Sequence, residues 1–425
     1  MSAASQEIVT RYSCRLCNSN GLRNLFSLGE QYINAFPTSI KEEDQGIKCP
    51  IDVVICENCS LVQLRHTAPQ ELLYARHYWY KSGVTQTMRT ALAEIAFQAA
   101  DVARLRESDV VLDVGSNDGT LLRSFPKYCF RVGIEPATNL VEEGSQGIDL
   151  LINSFWGTPS AMAEYVKRVA VKASVVTAIG MMYDLEDPNP FIADVAKVLA
   201  PNGVFIAQLM CLKNMMVMND IGNFCHEHLE YYSLKSLNYL LNKHGLELFD
   251  IQTNDTNGQS YRLFIQHENG SREKVVSNLE RHQGPERYLD VPAIYEGFRQ
   301  EMEDTREKVV NFINKEVAVG KKVWVYGAST KGNTILQYFG LKYPTITGAA
   351  ERSPEKWNRY TVGSCIPIWS EELARASKPD YFLVLPYTFL QEFIRREQDW
   401  LRTGGKFIVP LPVPKLVSIN GEERL

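Results

Sequence analysis

The amino-acid sequence predicts an α/β protein in which a small metal-held module precedes two doubly wound α/β domains in series. Three observations carry this prediction. Two CxxC pairs fall within the first sixty residues. From about residue 77 to 257, apolar strand-like runs alternate with helical patterns, and strands that alternate with helices pair in parallel. After a long charged helix the same rhythm restarts. The expected divisions are a zinc-binding module at 1–76, a middle domain at 77–257 and a C-terminal Rossmann-like domain at 258–425. A chain of 425 residues has room for two or three domains.

The module comes first. Cys14 and Cys17 form one pair, and Cys56 and Cys59 form the other, in VVICENCSLVQL. Four thiolates suit tetrahedral zinc, and a site closed by four protein sulfurs has no open position for water, so its role is structural. The alternative is four unrelated buried cysteines. Cys49 lies nearby as a spectator. Nine cysteines, an odd number with four in CxxC pairs, fit a reducing cytoplasm better than a disulfide framework.

In the middle domain the strand candidates are Val110 to Val114, Phe130 to Glu135, Ala173 to Ile179 and Gly203 to Met210. The first ends in VVLDVGSNDGTLL, where Asp113 closes the strand and Gly115 and Gly119 let the backbone bend towards a ligand. Ser116 and Asn117 lie in the same loop. Glu135 ends the next strand, in RVGIEPATN, where a carboxylate can accept from both hydroxyls of a ribose. The loop resembles the first motif of class I methyltransferases, with Asn117 at the middle glycine position. Because it is not GxGxxG, S-adenosylmethionine is favoured over NAD. A solvated loop carboxylate is the alternative for Glu135.

Residues 222 to 234 read GNFCHEHLEYYSL. His226 and His228 flank Glu227, but residues two apart do not share a helix face, and the run is not HExxH. On a strand the two histidines would share one side and metal ligation stays open. The other reading is general base chemistry: a positioned His or Glu removes a proton alpha to a ketone.

The charged run Ala293 to Glu316 has apolar residues at helical spacing. Beyond it, KVWVY leads into GASTKGNT and a helix, and Tyr381 to Leu385 and Lys406 to Pro410 read as further strands. Backbone N–H groups at a helix start suit a phosphate, and Lys331 adds charge there. The alternative is a Rossmann-like turn without a ligand, since a Walker loop would need GxxxxGK[ST]. A net charge of -5 argues against nucleic acid as partner. No run of about 18 apolar residues predicts a membrane span. The N-terminus lacks the apolar core of a signal peptide.

The run of motifs resembles the nucleotide-sugar 3-C-methyltransferase family, the sugar C-methyltransferases of the tylosin and kijanose pathways. It covers nearly the whole chain in the family's order: CxxC…CxxC, YWYKSGVTQTM, VLDVGSNDGTLL, GIEPATN, CHEHLEYYSL and VYGASTKGNT. The resemblance implies that Glu227 and His228 are catalytic, with His228 the base. It implies that Tyr78 and Tyr80 line the sugar site, with packing aromatics as the alternative. Lys81, Ser82, Cys225, Arg262, Lys331 and Asn333 are then expected on the substrate, a nucleotide-linked 4-keto-deoxysugar methylated at carbon 3 through an enolate.

The chain departs from the family at Cys225, which falls on a tyrosine, and at Gln259, which replaces a glycine. AIGMMYDLEDP also differs from the tylosin-type members. Oxygen or nitrogen methylation, or an inactive zinc- and cofactor-binding module, are the competing readings. A monomer enclosing substrate between its two large domains is compatible with all of this.

Overall fold

The computed structural model describes residues 7–75, 78–254 and 259–425. The two expected boundaries, after 76 and after 257, fall at or beside residues outside that set.

The N-terminal module is a four-stranded antiparallel sheet in the order Glu230–Tyr231, Val62–Leu64, Lys48–Cys56, Leu22–Tyr32. Three strands come from the module. The fourth comes from the segment that carries His228, with Glu230 opposite Gln63 and Tyr231 opposite Val62. The module's sheet is therefore completed by a part of the chain far downstream.

The middle domain holds a seven-stranded sheet in the order Leu246–Asn254, Ser260–His267, Leu199–Met210, Ala173–Ile179, Val110–Val114, Phe130–Ile134, Leu150–Ile152. Val110–Val114 and Ala173–Ile179 coincide with their expected bounds. Five strands run parallel, and Ser260–His267 inserts antiparallel between Leu199–Met210 and Leu246–Asn254. This strand follows the expected boundary at 257/258 yet belongs to the middle sheet. Its residues Ser260 to Gln266 are all buried, because helices and strands cover it on every side.

The helix Pro292–Ala318 covers the charged run. It leads to the C-terminal sheet, ordered Ile368–Ser370, Gly348–Glu351, Val323–Tyr326, Tyr381–Val384, Lys406–Val409, Lys415–Ser418, Gly421–Arg424. The first five strands are parallel, and the last two form an antiparallel edge.

One apolar cluster runs through all three parts. Its centre is a ring triad: Phe26 of the module meets Phe224 at 5.0 Å edge-on and Phe298 of the long helix at 5.6 Å. Burying a phenylalanine contributes on the order of 2–3 kcal/mol, so this triad is a strong link between the module, the segment that carries His228 and the helix. Polar ties add to it. Gln337 accepts from Tyr32 N–H at 2.8 Å and donates to the Tyr32 carbonyl at 3.2 Å. Among the described residues, no helix is long and apolar enough to cross a membrane.

Candidate active site

The four cysteines meet in one place. Their sulfurs all lie within 4.8 Å of one another, with Cys14 and Cys59 at 3.5 Å and Cys17 and Cys56 at 3.5 Å. A zinc ion with Zn–S near 2.3 Å needs sulfur–sulfur edges of roughly 3.8 Å, so this donor set fits it. The two knuckles share one geometry. Asn18 and Ser60, each just after a second cysteine, take left-handed backbone at φ 59° and 61°. Their N–H groups return to the carbonyls of Cys14 and Cys56 at 3.0 and 2.9 Å. The sequence pattern CxxC therefore builds two matching turns whose sulfurs converge.

The glycine-containing loop sits at the carboxyl end of Val110–Val114, where ligands of such sheets bind. Gly115 has φ 73°, and a Cβ there would approach Met181 Cγ at 2.9 Å. Gly119 has φ 77°, and a Cβ would meet the Gly144 carbonyl at 2.6 Å. Asn117 occupies the middle glycine position at φ 52°, a conformation that Asn tolerates better than most residues. Its side-chain amide bonds two backbone groups of a neighbouring segment. Oδ1 accepts from Ser82 N–H at 2.9 Å, and Nδ2 donates to the Tyr80 carbonyl at 3.1 Å. The asparagine thus ties the Tyr80–Ser82 segment to the loop, which a glycine cannot do.

A cavity of about 380 Å³ opens beside this loop, lined by Gly115, Asn117, Glu135, Trp156 and Asp184 among others. Each Glu135 oxygen accepts one backbone N–H, Oε2 from Asn117 and Oε1 from Ala137, both at 2.8 Å. One lone pair on each oxygen remains for a pair of ligand hydroxyls. Burial pushes the Glu135 carboxyl up, and the two N–H groups oppose that. Four carboxyl groups, Glu135, Asp184, Glu186 and Asp187, line the wall beside the apolar Ile134, Phe155 and Trp156, with Glu186 paired to Arg11 and Arg15. A cation bearing a ribose and a flat base, as S-adenosylmethionine is, fits this lining. Asp113, Ser116 and Gly119 lie behind the loop rather than on the cavity. Asp113 accepts from Thr177 Oγ1 at 2.7 Å, and burial raises its carboxyl to about 7. Ser116 Oγ is buried without a hydrogen-bond partner.

A second, narrower cavity of about 130 Å³ adjoins the first. Tyr78, Tyr80, Ser82, Ile179 and Gly180 line both. Cys225, Glu227, His228 and Lys331 line the second, so the segment 222–234 and the C-terminal helix Thr330–Phe339 share it. The His228 Nδ1 atom lies 2.9 Å from the Asn223 carbonyl. A carbonyl only accepts, so Nδ1 carries the hydrogen and Nε2 keeps its lone pair. Burial, then the charge of Lys331, pushes the His228 imidazole down to about 3. The ring of Tyr183 packs edge-on against it at 4.7 Å. Burial holds the Cys225 thiol well above its ordinary range, so it is present as S–H.

Glu227 does not orient His228. Its carboxylate receives the Asn34 amide at 2.9 and 2.7 Å. His226 points away, donating from Nε2 to the Cys49 carbonyl at 2.8 Å. The two histidines therefore do not converge as a metal pair. Their positions two residues apart face different partners because the segment is turn and loop rather than strand.

Three expected substrate residues stand outside both cavities. Arg262, on the inserted antiparallel strand, is buried against Gln208, Glu94 and Gln98 at 3.1, 3.1 and 2.7 Å. Asn333 donates to the Ala35 carbonyl at 3.3 Å, deep in the contact with the module. Lys81 bridges Glu143 at 3.3 Å and Glu355 at 3.2 Å. In each case a protein partner already takes the charge or the amide. Of the second departure, Thr256 to Gly258 lie outside the described residues, and Gln259 takes φ 77°, the left-handed region that suits the glycine it replaces.

Sequence reasoning missed Asp184. It follows Ala173–Ile179 at the carboxyl end of its sheet, lines the larger cavity, and its Oδ1 is buried without a hydrogen-bond partner. Burial, then the neighbouring Glu227, raises this carboxyl well above the ordinary range. The signal was its place in AIGMMYDLEDP, directly after a parallel strand.

The sheet order, the loop and the acidic cavity define an S-adenosylmethionine-dependent methyltransferase. Three family models match in series: "Putative zinc binding domain" over 14–74, "Methyltransferase domain" over 80–251 and "C-methyltransferase C-terminal domain" over 255–412. The chain is 31% identical over 419 residues to C-methyltransferase NovU of Streptomyces niveus, covering 95% of this chain and 96% of that one. It belongs to the C-methyltransferase family. Solved structures also overlap part of it. A S-adenosylmethionine-dependent methyltransferase from Clostridium acetobutylicum is 12% identical at a TM-score of 0.34, over 42% of this chain and 92% of that one. N-methyltransferase NodS from Bradyrhizobium japonicum is 12% identical at 0.32, over 43% and 96%.

Proposed function

We propose that this enzyme methylates carbon 3 of a nucleotide-linked 4-keto-deoxysugar, with His228 as the base. The observation that carries the reading is the joined pair of cavities, one acidic and beside Glu135, the other holding the Nε2 lone pair of His228.

A ketone acidifies the hydrogen on the neighbouring carbon. The His228 Nε2 takes that proton and the C–H electron pair passes into an enolate. The Asn223 carbonyl engages Nδ1 and leaves Nε2 as the ring nitrogen with a free lone pair. S-adenosylmethionine, when bound, supplies the electrophilic methyl group and leaves as S-adenosylhomocysteine. The proton on Nε2 then returns to solvent. Tyr78 and Tyr80 line both cavities, where they would flank the sugar. Zinc, held by Cys14, Cys17, Cys56 and Cys59, keeps the module in shape and stays remote from this chemistry.

The test is incubation with S-adenosylmethionine and thymidine-, guanosine- and cytidine-diphosphate 4-keto-6-deoxyhexoses, followed by mass spectrometry and NMR. One added methyl on carbon 3 supports the reading. A methyl on oxygen or nitrogen overturns it. His228→Ala should lower turnover by roughly 10²–10⁴-fold with cofactor affinity unchanged; full turnover in that variant removes His228 as the base.

A further inference from the structure

The helix Thr330–Phe339 places Lys331 on the wall of the narrower cavity, opposite Cys225, Glu227 and His228. Sequence pattern alone assigns this lysine to a phosphate at a helix start. In the structure it stands at that helix start and also lines the cavity that His228 lines. Among the described residues Lys331 has no ion pair within 4 Å and no hydrogen bond from its side chain. Its charge nevertheless acts on His228, Cys225, Asp184 and Asp220. Lys331 is half-buried on the cavity wall, so an anion formed in that cavity can pair with it.

We propose that the Lys331 ammonium is the electrostatic partner of the enolate oxygen, and that this lysine reads the keto group rather than the diphosphate. The proposal rests on the carbon-acid reading above. When His228 takes the substrate proton it becomes a cation facing a second cation. That pair repels in a pocket of low polarity, unless negative charge develops between them. An enolate oxygen turned towards Lys331 meets the condition, because charge forms on oxygen as the proton reaches Nε2. A tyrosine at position 225 would offer a neutral O–H to the same oxygen. Cys225 is a weak donor, so the full charge of Lys331 takes over that work. The ketone is thereby required at the carbon next to the one that is methylated. It is oriented by a residue of the C-terminal domain.

The experiment is cofactor-free deuterium exchange at carbon 3, measured by NMR at saturating sugar nucleotide, on wild type, Lys331→Met and Lys331→Arg. The probes are the three 4-keto-6-deoxyhexose nucleotides above, with thymidine, guanosine and cytidine diphosphate as binding controls. Loss of one such electrostatic donor is expected to slow exchange by about 10²–10³-fold in Lys331→Met, with partial recovery in Lys331→Arg. Affinity for the matching nucleoside diphosphate should change less than about threefold. Exchange near the wild-type rate in Lys331→Met, with diphosphate binding weakened roughly tenfold or more, overturns the proposal and returns Lys331 to the phosphate. Absence of exchange in the wild type with every probe overturns the carbon-acid reading itself, so the two failures are told apart. Thermal melts of both variants exclude misfolding as the cause.

Discussion

Asn34, in the zinc module, donates its side-chain amide to both carboxylate oxygens of Glu227, at 2.9 and 2.7 Å. These residues stand 193 positions apart, and both are buried. The carboxylate is therefore held on the wall of the narrower cavity by a residue of the module.

Removing that donor leaves a buried carboxylate without its partner, which costs about 1–3 kcal/mol or more for a charged group. Asn34→Leu should therefore lower the melting temperature and reduce turnover, with cofactor affinity unchanged. Calorimetry on the variant, beside methyl-transfer assays, checks this. Unchanged turnover would show that Glu227 needs no such anchor.

Zinc should matter in the same way. The module carries Asn34 and the Cys49 carbonyl that receives His226. We expect one zinc per chain by elemental mass spectrometry. Stripping it with a strong chelator, or Cys56→Ser, should cost several degrees of melting temperature and most of the activity. Activity that survives complete zinc loss would separate the module from catalysis.

Glu135 keeps one free lone pair on each oxygen, and we propose that these accept from the cofactor ribose. Glu135→Ala should weaken S-adenosylmethionine by about 10–100-fold, the range for a hydrogen bond to a charged group. Titration calorimetry reads the loss. A 2′-deoxy cofactor should bind wild type more weakly but should lose little further affinity in the variant.

Asp113 makes a prediction about pH. Its carboxyl is raised to about 7 by burial, with the nearby Glu135 adding to the effect. In an unfolded chain the value is about 3.9. Between these values the folded protein holds a proton that the unfolded chain has released. Stability of the ligand-free protein from this group therefore falls as pH rises through that window, and levels off above about 7. Asp113→Asn should abolish this part of the slope and gain stability over wild type as pH rises from 5 to 7. Denaturant melts across that range check it.

Much of this was legible in the sequence because the signals are local. The CxxC pairs set up two knuckles, and the Gly115–Gly119 loop with Glu135 one strand later marks one crevice of a parallel sheet. Strands such as Ala173–Ile179 showed as short apolar runs. What escaped depends on long-range pairing. Ser260–His267 falls past the expected boundary at 257, and only its pairing with Leu199–Met210 puts it inside the middle sheet. Arg262 and Asn333 carry the residue types of a ligand site, but charge and amide groups also satisfy one another inside a protein. Nothing in local sequence says which will happen. Lys331 sits in a loop-to-helix motif that reads as a phosphate cradle. Its approach to His228 follows from how the C-terminal domain docks on the middle one.

The two-residue strand Glu230–Tyr231 has one more consequence, for synthesis. The module's first three strands leave the ribosome early, and the cysteines can gather zinc while the rest is still being made. Val62–Leu64 then waits as an open edge until residues 230 and 231 emerge. At roughly 5–20 residues per second that delay is many seconds. Residues 230 and 231 then add to the edge that Val62–Leu64 offers. The partially made chain carries an unpaired strand edge for that whole interval, which makes it a target for chaperones or for faulty pairing with a neighbouring chain.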